Sequence, residues 1–311
     1  MNHAVIDLGS NSIRLSIYNC IGNQVAKVFI RKEIVGLASY VSNETLDIEG
    51  IKKACDVLNS FKETAANYVE VANIHLFATA SLRNILNRDE AVKIITEKTE
   101  LFPDVLDGKD EAALGFSGAS RYTDCENGVM IDIGGASTEL VLFKDYKVVD
   151  LISLPIGCLN LSLDYVSEII PKTNEMKQIK AVIKEQLAKV NWGKNVSCPL
   201  MLGVGGTLRA TLKLSRALFN LSPEANSIDA NYIKEINRLL KAHKKNIYHT
   251  IYKHTPERLM TTPTGLAILQ QAIKTFGCDT IFVSKYGLRE GYLMDRVLKV
   301  NCQSDVDNEN R

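Results

Sequence analysis

The chain contains one short pattern twice, and this duplication constrains the fold more than any other feature of the sequence. Residues 5–18 read VIDLGSNSIRLSIY, and residues 130–143 read MIDIGGASTELVLF. In each copy an apolar strand ends near an acid, a turn of small residues follows, and a second apolar strand leaves the turn. The pattern predicts two strand–turn–strand hairpins, each with a carboxylate at its mouth. The equivalent residues are Asp7 and Asp132, Gly9 and Gly134, and Ser12 and Ser137.

Both turns have the composition of a phosphate-binding loop. Small residues let a ligand approach the backbone closely, and successive N–H groups can then point into one space. Such N–H groups suit phosphate oxygens, and a neighbouring carboxylate suits a hydrated Mg²⁺ ion. The alternative is two unrelated tight hairpins, although a hairpin turn alone needs neither the leading acid nor the following serine. The expected phosphate-binding residues are Gly9, Ser10, Asn11 and Ser12 in the first turn and Gly134, Gly135, Ala136 and Ser137 in the second.

A third glycine turn follows the apolar segment 200–204, which reads as a strand. Gly205, Gly206 and Thr207 then open a predicted helix, and helix N-termini bind anions. An ordinary strand-to-helix turn explains the same residues. Further along, the helix predicted around residues 233–240 carries basic residues on one side, which indicates either a solvated face or a path for a polyanion.

Composition limits both the size and the partners of the protein. A chain of 311 residues with 46% hydrophobic residues can bury large cores, and it predicts two domains. The net charge of +1 gives no reason to expect general nucleic-acid or membrane affinity. Seven scattered cysteines without a CxxC pair predict reduced thiols. Because neither a membrane-spanning run nor a secretion signal is recognisable, we expect a cytoplasmic protein.

Strands and helices alternate along the chain, which predicts an α/β fold. The two halves are expected to be domains, covering residues 1–118 with a C-terminal helix at about 292–311, and residues 119–291. Asp89 is expected to be the N-cap of a helix that runs to about Lys98, and another helix is expected at residues 266–276. Residues 287–291 are expected to form a turn into the final helix, which is expected to end near Val300.

Two acids, Asp110 and Glu111, lie in the first turn of a helix predicted to start near residue 108. Acids favour this position simply because they complement the helix dipole. This helix, however, ends shortly before the second hairpin. It therefore joins the two halves close to any cleft between them.

Seven motifs occur in order along nearly the whole chain: IDLGSNSIRL, ATASLRN, DEAALGFSG, IDIGGASTEL, SLPIGCLNL, GVGGTLRA and SKYGLREG. This set resembles the exopolyphosphatase and guanosine pentaphosphate phosphohydrolase (Ppx/GppA) family of the actin-like ATPase superfamily. The resemblance implies two actin-like (ribonuclease H-like) domains, with mixed five-stranded sheets flanked by helices and a cleft between them. It further implies the short two-domain form and is compatible with a homodimer.

The resemblance also implies a reaction and roles for residues. The expected activity is removal of the terminal phosphate of inorganic polyphosphate or the 5′ phosphate of pppGpp. Glu111 matches the family's catalytic base, and Arg83 matches a basic residue facing the phosphates. Asp7, Asp132 and Glu139 match positions near a Mg²⁺ ion. The alternative is a weakly active or inactive regulatory protein that binds (p)ppGpp or another nucleotide.

Three positions depart from the family pattern. Ala136 stands where a third glycine is usual, and its Cβ is expected to penalise a positive φ and narrow the approach of a phosphate. Gly36 stands in a segment that usually carries an arginine. Met260 stands where an acid is usual.

Overall fold

The first half of the chain forms a sheet covered by helices. The computed structural model describes residues 1–22, 24–121, 123–195 and 197–299. The elements of the first half are β1 (Asn2–Leu8), β2 (Ser12–Ile21), β3 (Gln24–Ile34), β4 (Val41–Ser42), β5 (Thr45–Leu46), α1 (Ile48–Ala66), β6 (Ile74–Ala78), α2 (Ala80–Arg83), α3 (Arg88–Thr99), β7 (Pro103–Val105) and α4 (Gly108–Ser120). The sheet order is β3-β2-β1-β6-β7, in which β1, β6 and β7 are parallel.

Helix α1 is held on this sheet by the apolar stripe that its sequence predicts. Ile51, Leu58 and Phe61 are buried in the same core as Ile6 of the central strand. The helix begins cleanly because the Asp47 side chain accepts a hydrogen bond from the Gly50 N–H at 2.7 Å. The packing fixes the orientation of β1, which carries Asp7 near its carboxyl end.

The second half repeats this plan. Its elements are β8 (Gly128–Ile133), β9 (Thr138–Lys144), β10 (Lys147–Leu154), α5 (Cys158–Tyr165), α6 (Thr173–Leu187), β11 (Leu200–Val204), α7 (Gly205–Phe219), β12 (Ser227–Asp229), α8 (Ala230–Lys241), α9 (Lys245–His254), α10 (Thr262–Phe276), β13 (Thr280–Val283), α11 (Leu288–Gly291) and a π-helical turn (Tyr292–Val297). The sheet order is β10-β9-β8-β11-β13-β12, with β8, β11 and β13 parallel. Mixed sheets flanked by helices confirm the predicted α/β class.

The second sheet has six strands rather than the five expected. The additional strand, β12, has three residues and pairs antiparallel with β13 at the sheet edge. Only Ile228 of this strand is buried. A three-residue segment with one buried side chain has no readable alternation, so the tertiary pairing alone reveals it.

The two halves meet where α4 crosses α11. An ideal Cβ on Gly118 would lie 2.0 Å from the Gly287 carbonyl oxygen, so the two backbones touch there. Beyond this crossing, Tyr292 and Leu293 are buried with Val5 of the first sheet. The domain boundaries stay a prediction. Residues 300–311, which include the expected end of the last helix, lie outside the described residues.

Two expected helix boundaries differ from the structure. Helix α3 starts at Arg88 after Asn87, not after Asp89. The Asn87 side chain bonds both the N–H and the carbonyl of Leu46, and this contact with β5 positions the helix start. Helix α10 starts at Thr262, four residues earlier than expected, with a proline in its first turn. No helix in the described ranges combines the length and apolarity that crossing a membrane requires.

Candidate active site

A cleft of about 140 Å³ lies between the two sheets, at the carboxyl ends of their parallel strands. Ligands of α/β folds bind at this edge, because the loops that leave these strands converge there. Asp7 lies near the end of β1, Asp132 near the end of β8, and Gly205 directly after β11. Glu111 lies on the helix after β7, and Arg289 on the turn after β13. All five line the cleft.

The two hairpin turns have the same internal geometry. The Gly9 N–H donates to the Ser12 carbonyl at 3.2 Å, and the Gly134 N–H donates to the Ser137 carbonyl at 2.9 Å. The turns also face each other, since an ideal Cβ on Gly135 would lie 3.6 Å from the Ser10 Cβ. The duplicated sequence pattern is therefore a duplicated structure around one cavity.

Free backbone donors line this cavity. Within the described residues, the N–H groups of Ser10, Asn11, Gly135 and Ala136 donate no hydrogen bond to the chain. All four residues line the cleft, together with the remaining predicted turn residues. Unpaired N–H groups in a cleft are suited to bind the oxygens of an anion.

A positive φ does not explain the small residues of the two hairpin turns. Neither Ala136 nor the hairpin glycines adopt a positive φ, so the Ala136 Cβ carries no backbone penalty. The turn glycines are closely packed instead: an ideal Cβ on Gly9 would lie 3.1 Å from the Ser12 carbonyl oxygen, and one on Gly134 would lie 3.1 Å from the Ser137 carbonyl oxygen. Gly36 does have a positive φ of 65°. Its N–H donates to the Asn11 carbonyl at 2.9 Å and so supports the first turn.

The third glycine turn connects β11 to α7 and lines the cleft. Gly205 has a φ of +83°, and an ideal Cβ there would lie 2.0 Å from Oδ1 of Asp132. Thr207 donates from its hydroxyl to the Ile133 carbonyl at 2.7 Å. The first N–H groups of a helix have no partner within the helix. The predicted turn therefore directs a helix N-terminus into the same cleft.

Four arginines also line the cleft, and no role was predicted for any of them: Arg14, Arg209, Arg258 and Arg289. Arg14, Arg209 and Arg289 lie within quoted motifs, whereas Arg258 does not, and the four come from distant segments. A signal for one of them was present in the duplication. Arg14 pairs with Asp7 across the first hairpin, as Glu139 pairs with Asp132 across the second.

These guanidinium groups converge on one side of the cleft. An ideal Cβ on Gly206 would lie 2.2 Å from Nη2 of Arg258 and 3.1 Å from Nη2 of Arg14. Arg289 donates to the Ser16 hydroxyl at 2.7 Å and lies 3.9 Å from Asp7. Burial, and then the neighbouring Arg289, lower the pKa of Arg14 to about 10. Crowded, buried cations of this kind favour an anionic ligand.

Glu111 points into the cleft, whereas the preceding Asp110 pairs with Arg296 outside it. Arg83 Nη1 lies 2.6 Å from Glu111 Oε2 and 3.2 Å from the Leu106 carbonyl oxygen. Arg83 is not among the residues that line the cleft. Glu111 and Leu106 hold its guanidinium, and its assignment as a phosphate-binding residue stays a prediction.

The cleft carboxylates are buried close to one another. Burial raises the pKa of Glu111 to about 7, although Arg83 counteracts this rise. Burial likewise raises the pKa of Asp7 and of Asp132. The pKa of Glu139 is raised well above its usual value by burial, and then by Glu111 and Asp132. An added cation would relieve this repulsion.

A preformed metal cage is not present in the part of the chain that the structure describes, where no three His, Cys, Asp or Glu side chains converge as metal ligands. Mg²⁺ does not require one, because it is usually held by one or two carboxylates, water and substrate phosphates. The buried acids Asp7, Asp132 and Glu139 fit that mode of binding. Their assignment as magnesium ligands stays a prediction.

Comparison with known proteins decides the family. The model of the Ppx/GppA phosphatase family matches residues 16–300. The chain belongs to the Ppx/GppA phosphatase family. A phosphatase family agrees with a cleft lined by unpaired backbone N–H groups and guanidinium groups.

Curated relatives of this Ppx/GppA chain are longer proteins. A guanosine-5'-triphosphate,3'-diphosphate pyrophosphatase of Aliivibrio fischeri is 27% identical over 302 residues, which cover 93% of this chain and 58% of the relative. A bifunctional 3-dehydroquinate synthase/phosphatase of Fusobacterium nucleatum is 29% identical over 308 residues, covering 94% of this chain and 46% of the relative. The chain thus spans about half to six-tenths of the length of these relatives.

Solved structures of comparable length share the fold. The Ppx/GppA family member of Aquifex aeolicus is 27% identical, with a TM-score of 0.77 over 97% of this chain and 99% of that one. An exopolyphosphatase of Cytophaga hutchinsonii is 20% identical, with a TM-score of 0.86 over 97% of this chain and 99% of that one. These similarities confirm the actin-like α/β fold that the motifs implied.

Proposed function

We propose that this Ppx/GppA chain hydrolyses the terminal phosphoanhydride bond of inorganic polyphosphate or of the 5′ end of pppGpp. The observation that carries the proposal is the position of Glu111, a buried carboxylate that faces a cavity lined with backbone and guanidinium donors. A relative named as a guanosine-5'-triphosphate,3'-diphosphate pyrophosphatase supports pppGpp as one of the two proposed substrates. Because the chain matches only part of that relative, its substrate is inferred and must be measured.

The terminal phosphate is bound by the two hairpin turns and the α7 N-terminus. Their N–H groups contact its equatorial oxygens, on which negative charge increases in the transition state. Arg14, Arg258 and Arg289 neutralise the remaining charge of the chain end. The substrate phosphorus then lies between these donors and the carboxylate on α4.

Glu111 orients a water molecule and removes its proton as the water oxygen bonds to phosphorus. The bond between phosphorus and the bridging oxygen breaks, and its electron pair leaves with the shortened phosphate chain. The proton passes from Glu111 to the departing products or to solvent. A carboxylate with a pKa of about 7 is well matched to this proton transfer near neutral pH. Arg83 keeps the carboxylate in place.

Asp7, Asp132 and Glu139 would hold a Mg²⁺ ion, which would supply positive charge to offset that of the substrate phosphates. The chain's own contribution there is a set of buried carboxylates whose mutual repulsion the ion would relieve. Removing the charge of one of them is therefore expected to weaken Mg²⁺ binding.

The substrate class can be tested by measuring orthophosphate release from long-chain polyphosphate, pppGpp and ATP, each with Mg²⁺ and with a chelator. We expect Mg²⁺-dependent release from polyphosphate or pppGpp at least tenfold faster than from ATP. Binding of (p)ppGpp without release from any of the three would instead identify a regulatory binding protein. A preference for ATP would contradict the proposal.

A further inference from the structure

A second cavity, of about 150 Å³, lies among the helices of the second half and shares no lining residue with the active-site cleft. Helices α6 and α8 form two of its sides, and the starts of α9 and α10 contribute to the others. Its lining residues are Pro171, Thr173, Met176, Lys177, Lys180, Asn237, Leu240, Lys241, His243, Tyr248 and Pro263. We call it the helical cavity.

The inner surface of the helical cavity is mostly apolar. Met176, Leu240, Tyr248 and two prolines form its walls. The Tyr248 hydroxyl donates to the Leu240 carbonyl at 3.4 Å, which links the ring to the neighbouring wall. An engineered cavity of about 150 Å³ is large enough to bind benzene. The helical cavity therefore has room for one aromatic ring.

The rim of the same cavity is basic. Lys177, Lys180, Lys241 and His243 line it, and no Asp or Glu does so among the described residues. The acids of the neighbouring helix faces are used elsewhere: Glu175 accepts from the Ser167 hydroxyl, and Glu235 pairs with Arg238. Converging ammonium groups without an acid create a local positive potential.

The electrostatic environment of Lys180 supports this picture. Lys180 is half-buried, and its pKa is lowered first by burial and then by Lys274, Lys241 and Lys184. A bound anion would offset this repulsion, because an opposite charge within about 4–6 Å stabilises the ammonium form. The alternative is that these lysines only form solvated helix faces. That alternative does not explain why lysines of two different helices surround one apolar cavity.

From the ring-sized cavity and its basic rim, we propose that the helical cavity binds a small aromatic phosphate, with the ring against Met176 and Tyr248 and the phosphate between Lys180 and Lys241. Neither half of this ligand would bind well alone. The apolar interior excludes the phosphate, and the ring alone leaves the lysines without a counter-ion. The site does not depend on the activity of the cleft.

Phenyl phosphate is a suitable probe, and the methyl group of Met176 is a local reporter. In protein labelled with ¹³C-methyl methionine, phenyl phosphate should shift the Met176 signal with saturation. Inorganic phosphate and benzyl alcohol should need at least tenfold higher concentrations. The other five methionines lie outside this cavity and report binding elsewhere.

Charge reversal provides the decisive variants. Lys180→Glu and Lys241→Glu should each weaken phenyl phosphate binding at least tenfold, while Lys234→Glu, an exposed position on α8 outside the cavity, should change it less than twofold. An unchanged methionine spectrum establishes that each variant is folded. Absence of a saturable Met176 shift, or equal binding by the charge-reversed proteins, would overturn the proposal.

Discussion

Arg83 Nη1 lies 2.6 Å from Glu111 Oε2, and the two side chains are only 16% and 12% exposed. Burial raises the pKa of Glu111 to about 7, while Arg83 limits that rise. A general base must be deprotonated, so turnover should decrease as the pH falls through about 7. A profile of kcat against pH at saturating substrate measures this acidic limb. Constant turnover down to pH ~5 would argue against a buried carboxylate as the base.

Replacing the Arg83 guanidinium should shift the acidic limb of the kcat profile to higher pH. In Arg83→Met the burial of Glu111 is no longer opposed by a cation, so the limb should shift to higher pH by about one unit. Arg83→Lys keeps the charge and should shift it less. The exposed Arg88, which pairs with Asp89, offers a matched control, and Arg88→Met should leave the profile unchanged. A KM increase without a pH shift would assign Arg83 to substrate binding instead.

The ionised Glu139 carboxylate should destabilise the folded protein at neutral and higher pH. Its pKa in the folded protein is raised well above the usual value, mainly by burial, so the folded state binds this proton more tightly than the unfolded state. The favourable contribution is complete below the unfolded pKa of about 4.5 and is lost as the pH rises towards the folded pKa. Glu139→Gln should therefore raise the free energy of unfolding by ~1–3 kcal/mol at pH ~8 and by little at pH ~4.5.

Urea denaturation of both proteins at the two pH values measures the Glu139 effect. Glu126→Gln, at an exposed position of the same half, should change stability by less than about 0.5 kcal/mol. A destabilised Glu139→Gln protein at high pH would show that the carboxylate is a structural partner of Ser153, with which it bonds at 2.8 Å.

Gly206 leaves room for two guanidinium groups. Since an ideal Cβ there would lie 2.2 Å from Arg258 Nη2, Gly206→Ala should displace Arg258 from the cleft. We expect KM for the phosphate substrate to increase at least tenfold, about 1.4 kcal/mol, with a smaller effect on kcat. Gly115→Ala is the matched control, because its Cβ would meet only the Met130 methyl at 3.7 Å. Unchanged KM in Gly206→Ala would remove Arg258 from substrate binding.

Tyr18 links the first sheet to the turn that carries Arg289. Its hydroxyl donates to Glu290 Oε1 at 2.7 Å, and Lys27 Nζ lies 2.6 Å from the same oxygen. Tyr18→Phe leaves this buried carboxylate one donor short and should lower the free energy of unfolding by ~1.5–3 kcal/mol. Tyr252→Phe, at a position that is 64% exposed, should be neutral in the same urea titration. Equal effects would show that the bond contributes nothing specific.

The sequence was sufficient for the parts of the site that are local. Both hairpins and the third glycine turn were predictable because a turn's composition and the strands beside it determine its geometry. Strand β11 also has the predicted bounds, Leu200–Val204. The basis for the small residues was predicted less well. Close contacts with the Ser12 and Ser137 carbonyl oxygens, not left-handed dihedrals, accompany the hairpin glycines Gly9 and Gly134.

The parts of the site that were missed depend on distant segments. Arg14 lies on β2, Arg209 on α7 and Arg258 just before α10, and only the tertiary structure brings them to one cleft. A basic residue near the cleft can face either the ligand or an acid. For Arg83, the distance of 2.6 Å between its Nη1 and Glu111 Oε2 shows the contact with the acid. No local pattern distinguishes these alternatives.

Glu111→Gln tests the central claim most directly, and Asp110→Asn is its control on the adjacent residue. The glutamine retains the shape of Glu111 and cannot accept the proton, so kcat for phosphate release should fall by about 10²–10⁴-fold with KM changed less than severalfold. Asp110→Asn, whose native carboxylate pairs with Arg296 outside the cleft, should retain nearly full turnover. Wild-type kcat in the Glu111→Gln protein would contradict the account.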